Sequence, residues 1–338
     1  KSMLYLTLTG RNDWASQLAN SSTSSFFYPS VGLSGVISEM IQMPSFIDYM
    51  KVRGSFSSVG MPYPRNLTSP TYEYNEATQS WKPKTHYPIG DLKPERTDSW
   101  EVGLDMKLFK DFNLGLSWYL ANTFNQTFDP QISVSSGYTT IYLQTGYVRN
   151  TGLELSLGYG HTWNNNFRWD SNFTLSHNKN KIKELVRDYV HPETGELINK
   201  DRLDVGGLGK ARFILKEGGT LGDLYTQSDL KRDDNGMVDI DPTGIVAIEN
   251  NLPDIKLGSV FPKANLAWSN HFSWKGISLS ALFTARIGGI VYSATEAAMD
   301  QYGVSERSAL ARDNGGVLVN NRTLVDAQNY YTTIGSES

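Results

Sequence analysis

The stretch Ser99–Ala121, SWEVGLDMKLFKDFNLGLSWYLA, contains two runs of alternating residues separated by a short break. From Trp100 to Leu108 every second side chain is large and apolar, and the residues between them are Glu, Gly, Asp and Lys. The same alternation returns from Leu114 to Leu120. Because successive side chains of a strand point to opposite faces, this pattern predicts a β-hairpin with one apolar and one polar face.

The same two-residue period extends over most of the chain and predicts about nine strands. The strong examples are Ser99–Phe109, Asn113–Ala121, Thr151–Gly160, Phe167–Ser176 and Ile277–Ile287, and the weaker ones are Leu4–Thr9, Phe27–Ile37, Val52–Val59 and Ala264–Phe272. Their lengths are near the roughly 9–11 residues with which a tilted strand spans a bilayer. A soluble β-sandwich would have the same period, so the alternation alone leaves two architectures open.

Two features of these strands favour the membrane barrel. The polar face carries full charges, as a water-lined face does, at Glu101, Asp105, Lys107, Glu154, Arg168, Asp170 and Arg286. Tryptophans also gather toward the ends of the predicted strands, as interfacial aromatic girdles do. These tryptophans are Trp100, Trp118, Trp163, Trp169, Trp268 and Trp274.

The connections between the predicted strands alternate between short and long. The short ones are Met40–Phe46, Lys110–Phe112, His161–Asn166 and Ser273–Gly276, and the long ones are Gly10–Phe26, Met61–Thr97, Asn122–Tyr147, Asn178–Gly258 and the segment after Gly288. Outer-membrane barrels have short periplasmic turns and long extracellular loops, whereas a sandwich has no reason to sort its loops by length. We therefore predict an all-β fold, a transmembrane antiparallel β-barrel.

The composition excludes several other classes of protein. The 338 residues carry a formal net charge of −4, which gives no basic surface for nucleic acid. The absence of cysteine excludes disulfides and thiolate metal sites. No apolar run reaches the roughly 18 residues of a membrane-spanning helix, and the first residues do not form a signal peptide. Since such a barrel must be exported, we expect its true N-terminus to have been cleaved or to lie outside this sequence.

Several motifs, in their order along the chain, resemble the SusC/RagA class of TonB-dependent transporters. They are FFYPSVGLSGVISEM (Phe26–Met40), LKPERTDSWEVGLDMKLFKDFNLGLSWYLANTFNQ (Leu92–Gln126), YVRNTGLELSLGY (Tyr147–Tyr159), FRWDSNFTLSHNKNKI (Phe167–Ile182) and FPKANLAWSNHFSWKGISLSALFTARIGGIVYS (Phe261–Ser293). The segment ERSALARDNGGVLVN (Glu306–Asn320) is similar to a late extracellular loop of the same proteins. The resemblance covers nearly the whole chain.

The resemblance implies that residues 1–338 are a barrel segment, incomplete at both ends, of a 22-stranded barrel whose plug domain is absent from this sequence. It implies location in the outer membrane of a Gram-negative type of cell. It implies import of a large nutrient, most often an oligosaccharide and sometimes a peptide, with no enzymatic activity and no cofactor. The expected partners are a SusD-like surface lipoprotein, membrane lipid, and the TonB complex, which would act through the missing N-terminal part.

No constellation of residues predicts catalysis or a metal site. The five histidines, His86, His161, His177, His191 and His271, are scattered without ligand spacing. The segment KRDDNGMVDID (Lys231–Asp241) is similar to a calcium loop, but Lys231 and Pro242 occupy the positions where an EF-hand needs an acidic residue and a glutamate. Its Asp-Asn-Gly sequence predicts a hairpin turn instead. Its carboxylates leave open whether the segment binds an ion.

The candidate ligand-binding residues are of two kinds. Aromatic side chains on long loops can stack on the C–H faces of sugar rings, and these are Trp81, Tyr72, Tyr74, Tyr138 and Tyr142. Polar side chains on the predicted lumen face can line the solute path, and these are Asp170, Asn172 and Arg286. The loop aromatics could equally pack loops together or meet a partner, and the lumen residues could bond the plug. Two other functions also stay open: a siderophore or cobalamin receptor, and a soluble extracellular β-rich carbohydrate-binding module.

Overall fold

The computed structural model describes residues 3–18, 21–22, 24–61, 72–83, 86–87, 93–128, 140–141, 143–163, 166–190, 195 and 197–336. Its main feature is a nine-stranded antiparallel sheet in which every strand pairs with the next long strand of the chain. The strands are β1 (Leu4–Trp14), β2 (Ser25–Val36), β3 (Ile47–Met61), β4 (Glu95–Leu108), β5 (Phe112–Phe128), β6 (Leu143–Trp163), β7 (Phe167–Glu184), β8 (Ala264–Trp274) and β9 (Ile277–Ile287). The nine predicted strands are thus confirmed.

The chain forms two compact units. The first comprises Lys1–Leu203, Lys216–Leu221 and Pro262–Gly288 and contains the nine-stranded sheet, and the second comprises Asp204–Leu215, Gly222–Phe261 and Gly289–Ser338. The α-helices are α1 (Ile37–Met40), α2 (Ala294–Gln301), α3 (Glu306–Asp313) and α4 (Ala327–Ser336), and Ser16–Leu18 is a 3₁₀ turn. The shorter strands are Tyr72–Asn75 with Ser80–Pro83, His86–Tyr87 with Thr140–Ile141, Val186–Val190 with Leu197–Lys200, Asp229–Leu230 with Ile248–Glu249, Val317–Val319 with Thr323–Val325, and a four-stranded sheet of Arg202–Leu208, Ala211–Lys216, Asp223–Thr226 and Ile255–Ser259.

One face of the nine-stranded sheet is apolar along its whole width. Residues directly opposite each other in an antiparallel pair share a face. Following the register from β1 to β9 gives one row across all strands: Leu4, Gly35, Val52, Leu104, Leu116, Leu155, Leu175, Leu266 and Ala285. Many side chains on this face are exposed, including Leu116 at 37% and Leu153 at 40%. An apolar face that no described residue covers is what lipid-facing strands present.

The opposite face is polar along a parallel row. Its members are Tyr5, Ser34, Arg53, Gly103, Ser117, Glu154, Ser176, Asn265 and Arg286. The two rows are one residue apart on every strand, so the alternation read from the sequence holds across the sheet.

Several strands are longer than predicted at the ends that lead into long connections. β5 continues to Phe128 and β6 begins at Leu143, where polar groups rather than apolar surface hold the strands together. Thr97 and Thr123 share a hydrogen bond of 2.9 Å, and the amide of Thr127 donates to Glu95 at 2.7 Å. Trp100, Trp118 and Trp268 lie inside strands, so the prediction that they mark strand ends is wrong.

The short turns carry a connected set of aromatic rings on the first unit. Phe109 stacks on Phe46 at 5.7 Å and meets Phe112 at 6.5 Å, and Phe112 contacts Tyr159 at 4.7 Å. The chain of contacts continues through Trp163, Trp169, Phe167 and Phe272. Aromatic rings gathered at one edge of an apolar face are typical of a membrane interface.

The second unit has a small core and an ion pair whose carboxylate is buried. Val246, Val319 and Val325 are buried together, with Tyr330 of α4 packed against them. Asp300, at 2% exposure, accepts hydrogen bonds from the Ser305 hydroxyl at 2.6 Å and from the Arg307 guanidinium. The sequence predicted no helix after Gly288, and α2 to α4 are an addition that only the structure reveals. Among the described residues, no helix is both long and apolar enough to cross a membrane.

Candidate functional site

The candidate site is the polar face of the nine-stranded sheet, and Arg53 is at its centre. Its guanidinium crosses β4 and donates to the Ser117 hydroxyl on β5 at 2.5 Å. It also pairs with Glu101 at 3.0 Å and lies 3.9 Å from Asp105. Gly103, between these two acidic residues, has no side chain, and a Cβ there would collide with the Arg53 guanidinium. The glycine therefore makes room for an ion-pair network over three strands.

Two grooves lie on this polar face. One, of about 680 Å³, is lined by Arg53, Asp105, Glu154 and Arg286 among others. The second, of about 1060 Å³, includes Asp170, Asn172 and His271 in its lining. Asp105, Gly115 and Ser156 line both grooves, so the two form one continuous surface.

The structure places all three predicted lumen residues on this polar surface. Asp170 is held by Arg168 through two hydrogen bonds of 2.6 Å, so its carboxylate is already compensated. Asn172 accepts a hydrogen bond of 3.4 Å from Ser156. Arg286 lies opposite Asn265 at the edge strand β9.

Glu154 differs from the other acids of this face. No described residue forms a hydrogen bond or ion pair with its carboxylate, which lies between Ser117 and Ser176 in the register. Next to it, the ring of Tyr119 lies against Gly152, where a Cβ would overlap the ring. An open carboxylate beside an aromatic ring offers a solute both a hydrogen-bond acceptor and a stacking surface.

The predicted loop aromatics are only partly described. Trp81 and Tyr74 face each other across the hairpin of Tyr72–Asn75 and Ser80–Pro83, with ring centroids 5.1 Å apart. Both are exposed, Trp81 at 67% and Tyr74 at 46%. The Asn75 side chain fixes the turn by accepting from the amides of Ala77 and Thr78. Tyr72 belongs to the hairpin with its side chain undescribed, and Tyr138 and Tyr142 lie outside the described residues.

The segment Lys231–Asp241 forms a turn as predicted, and three of its four acidic side chains are engaged in hydrogen bonds or an ion pair. Asp233 accepts hydrogen bonds from the amides of Asn235 and Met237, which hold the pKa of its carboxyl below the usual value. Asp239 pairs with Lys231 at 2.8 Å. Asp241 accepts from the Thr243 hydroxyl and from the Ile245 amide, and these bonds lower its pKa as well. Carboxylates bound in this way are poorly available to a cation.

The remaining titratable groups give no metal constellation. His161 pairs with Asp111 at 2.7 Å, while His177 contacts the Lys263 carbonyl and His271 the Ser280 hydroxyl. The side chain of His86 and all of His191 lie outside the described residues. Among the described residues, no three His, Cys, Asp or Glu side chains are grouped to hold a metal ion.

The fold and this two-faced sheet can be compared with known proteins. The profile of the family described as "TonB dependent receptor-like, beta-barrel" matches residues 2–331. The chain belongs to this family. Its nine-stranded sheet is therefore part of a TonB-dependent receptor barrel, and the sandwich alternative for the fold is excluded.

Curated relatives in the family are TonB-dependent receptors of Formosa agariphila. Receptor P39 is 27% identical over 238 residues, which cover 68% of this chain and 21% of the relative. Receptor P26 is 26% identical over 318 residues, which cover 87% of this chain and 31% of the relative. This chain thus spans less than a third of the length of either TonB-dependent receptor.

Among solved structures, the chain is similar to that of the RagAB peptide transporter. The TM-score is 0.65 at 21% sequence identity, and the match covers 84% of this chain and 31% of that one. At this identity the likeness establishes a shared fold. It agrees with the resemblance to the SusC/RagA class that the sequence motifs indicate.

Proposed function

We propose that this chain is the barrel portion of an outer-membrane TonB-dependent importer of a large nutrient. The observation that carries the proposal is the sheet with two opposite faces. Its apolar row runs unbroken from Leu4 to Ala285, and its polar row forms a charged, grooved surface around Arg53 and Glu154. Lipid outside and water inside are the environments that such a sheet requires.

The cargo we propose is an oligosaccharide, with a peptide as the alternative. Hydroxyl and amide side chains line the polar grooves together with the open carboxylate of Glu154, and these groups can bind the many hydroxyls of a sugar chain. The peptide alternative is supported by the shared fold with RagAB, which is a peptide transporter. Membership of a family of receptors and transporters argues against an enzyme.

We assign the ligand contacts to two places. Trp81 and Tyr74 present a fixed, exposed aromatic pair on a loop, to which Tyr72, Tyr138 and Tyr142 are expected to contribute. Asp170, Asn172 and Arg286 are assigned to the solute path on the polar face. By resemblance to SusC/RagA proteins, a SusD-like lipoprotein closes the extracellular side and the TonB complex supplies energy through parts of the protein outside this chain.

The test uses the full-length protein expressed in a TonB-containing outer membrane. Membranes are washed at alkaline pH, and uptake is measured with fluorescent α-glucan, β-glucan and xylan oligosaccharides, a mixed peptide digest, a ferric siderophore and cobalamin. We expect the protein to stay in the membrane and to import an oligosaccharide only when TonB is present. Release by the wash would contradict the membrane location, and import of the iron chelate or cobalamin alone would contradict the cargo.

A further inference from the structure

A row of basic side chains follows the apolar face at the long-loop end of β7. Lys179 and Lys181 alternate along the strand with Asn178 and Asn180, and the register places Arg149 of β6 directly opposite Lys181. Arg149, Lys179 and Lys181 together form the basic cluster. Side chains in directly opposite positions have Cβ atoms about 5 Å apart.

The basic cluster lies on the same face as the apolar row. On β6, Leu153 and Arg149 are four residues apart, and on β7 the same spacing separates Leu175 from Lys179, so each pair shares a face. Four residues of strand span about 13 Å. The cluster therefore begins where the apolar surface ends, on the side of the sheet that carries the long connections.

The positive charge of the basic cluster is not compensated within the described part of the chain. None of its three residues forms an ion pair there, although Arg149 donates to the Asn122 side chain at 2.9 Å and to the Tyr147 hydroxyl at 2.5 Å. These two bonds fix the guanidinium in place and leave it positively charged. Like charges directly opposite each other in a sheet are destabilising.

Two acidic groups lie toward the same end of these strands without pairing with the basic cluster. Asp98 lies one strand further away, opposite Asn122, and is bound by Arg96 at 2.8 Å and by Ser58 at 2.6 Å. Glu184 lies opposite Tyr147 and forms no ion pair with the basic cluster; it contributes to the charge around Arg187, whose ion-pair partner is Glu217. A fixed guanidinium that faces a lysine, with no acid paired to either of them among the described residues, attracts an anion from outside the described chain.

We propose that the basic cluster binds the phosphate groups of an anionic lipid in the leaflet on the long-loop side of the membrane. The basic cluster and a phosphate have complementary charges, and the cluster continues the apolar surface: acyl chains would contact the leucines, and the headgroup phosphates would then lie at the height of Arg149 and Lys181. This inference rests on the proposed membrane location of the sheet. It adds a lipid site to the proposed transport function.

The test uses the full-length protein in nonionic detergent, with three probes: diphosphoryl lipid A, the same lipid without phosphates, and inorganic phosphate. The readouts are the midpoint temperature of unfolding and the bound lipid in native mass spectrometry. We expect diphosphoryl lipid A to bind and to raise the midpoint, and the dephosphorylated lipid to bind at least 10-fold less. Equal binding of both lipids, or an effect of inorganic phosphate alone, would overturn the proposal.

Two sets of variants locate the site. Arg149→Gln with Lys179→Gln and Lys181→Gln should reduce lipid binding at least 10-fold. The matched control removes three positive charges at or near the short-turn edge, through Lys107→Gln, Lys110→Gln and Lys275→Gln, and should bind as wild type does. If the two triple variants bind lipid equally, the phosphates do not bind at the basic cluster.

Lys181→Glu tests the site through an expected gain in stability. It places an acid opposite Arg149, so it should raise the midpoint temperature in detergent alone and abolish the further rise caused by diphosphoryl lipid A. A variant that is no more stable in detergent, or that still responds to the lipid, would contradict the proposal. If the alkaline wash releases the wild-type protein from membranes, the proposed function fails first, and that result is separate from these binding data.

Discussion

The guanidinium of Arg53 occupies the space above Gly103 that any other residue would fill with a side chain. Through this space Arg53 reaches Ser117 at 2.5 Å and pairs with Glu101 at 3.0 Å. The contact joins β3, β4 and β5 on the polar face. It connects residues that are 64 positions apart in sequence.

Gly103→Val should displace the Arg53 guanidinium and break its bonds to Ser117 and Glu101. Overpacking of this kind costs about 1–3 kcal/mol of unfolding free energy. The measurement is urea unfolding of the full-length protein in detergent. Gly32→Val is the control, because a Cβ there meets nothing closer than 3.8 Å. Equal destabilisation by both substitutions would show that the Arg53 contact contributes nothing.

Leu116→Arg should destabilise the barrel by about 2–4 kcal/mol, since it puts a charge on the lipid-facing side. Ser176→Arg should be tolerated, because position 176 lies on the polar face opposite Glu154 and gains an ion-pair partner. Assembly is measured by the heat-modifiable mobility of the full-length protein. A spin label at Leu116→Cys adds a direct test: it should respond to membrane-dissolved oxygen and resist an aqueous quencher.

Trp81→Ala should lower uptake of the imported oligosaccharide about 10-fold and leave the amount of assembled barrel unchanged. Trp81 and Tyr74 form an exposed pair, so the loss of a stacking surface affects the ligand rather than a core. Trp81→Phe keeps an aromatic face and should retain part of the uptake. Full uptake by the alanine variant would mean that the hairpin does not contact the solute.

Asp300→Ala should destabilise the second unit by about 1–3 kcal/mol, because it leaves the buried Ser305 hydroxyl without its acceptor and removes one of the two acidic partners of Arg307. Hydrogen exchange of α2 and α3 in the full-length protein measures the effect. Asp313→Ala removes an exposed acid from the end of α3 and serves as the control. Unchanged exchange in the Asp300 variant would contradict a stabilising role for this ion pair.

The turn at Asp241 should weaken in acid. Hydrogen bonds from Thr243 and Ile245 lower the pKa of the Asp241 carboxyl below that of an unfolded chain. Because the pKa is lower in the folded turn, ionised Asp241 stabilises the turn at pH values above the pKa of the unfolded chain, which is about 4. This stabilisation is lost as the pH falls through the pKa of the folded turn. Asp241→Asn keeps an acceptor oxygen without titrating, so hydrogen exchange of the turn, corrected for intrinsic rates, should depend less on pH in this variant.

The lumen position Ser117 shows how far sequence reasoning reached. The alternation from Leu114 to Leu120 places Ser117 on the polar face, and the register of the sheet confirms this position. The structure leaves it only 9% exposed, because Arg53 from β3 lies over it. A contact between strands depends on their register, which no single strand contains.

The lysines of β7 show the same limit. Their alternation is visible in HNKNKIK, but the sequence predicted a loop from Asn178 onward because the apolar residues end there. β7 in fact continues to Glu184 by pairing with β6, and this pairing places Lys181 opposite Arg149. Backbone hydrogen bonds extended the strand where side-chain hydrophobicity gave no signal.

The sequence alone determined the nine strands, their order and the two faces, because lipid and water on opposite sides impose a two-residue period on every strand. It did not determine α2 to α4, the Arg53 network or the basic cluster. Those features form where segments far apart in the chain meet. The interactions that stabilise them join different strands or different helices, so the residue pattern of one segment does not reveal them. Only the tertiary structure could decide them.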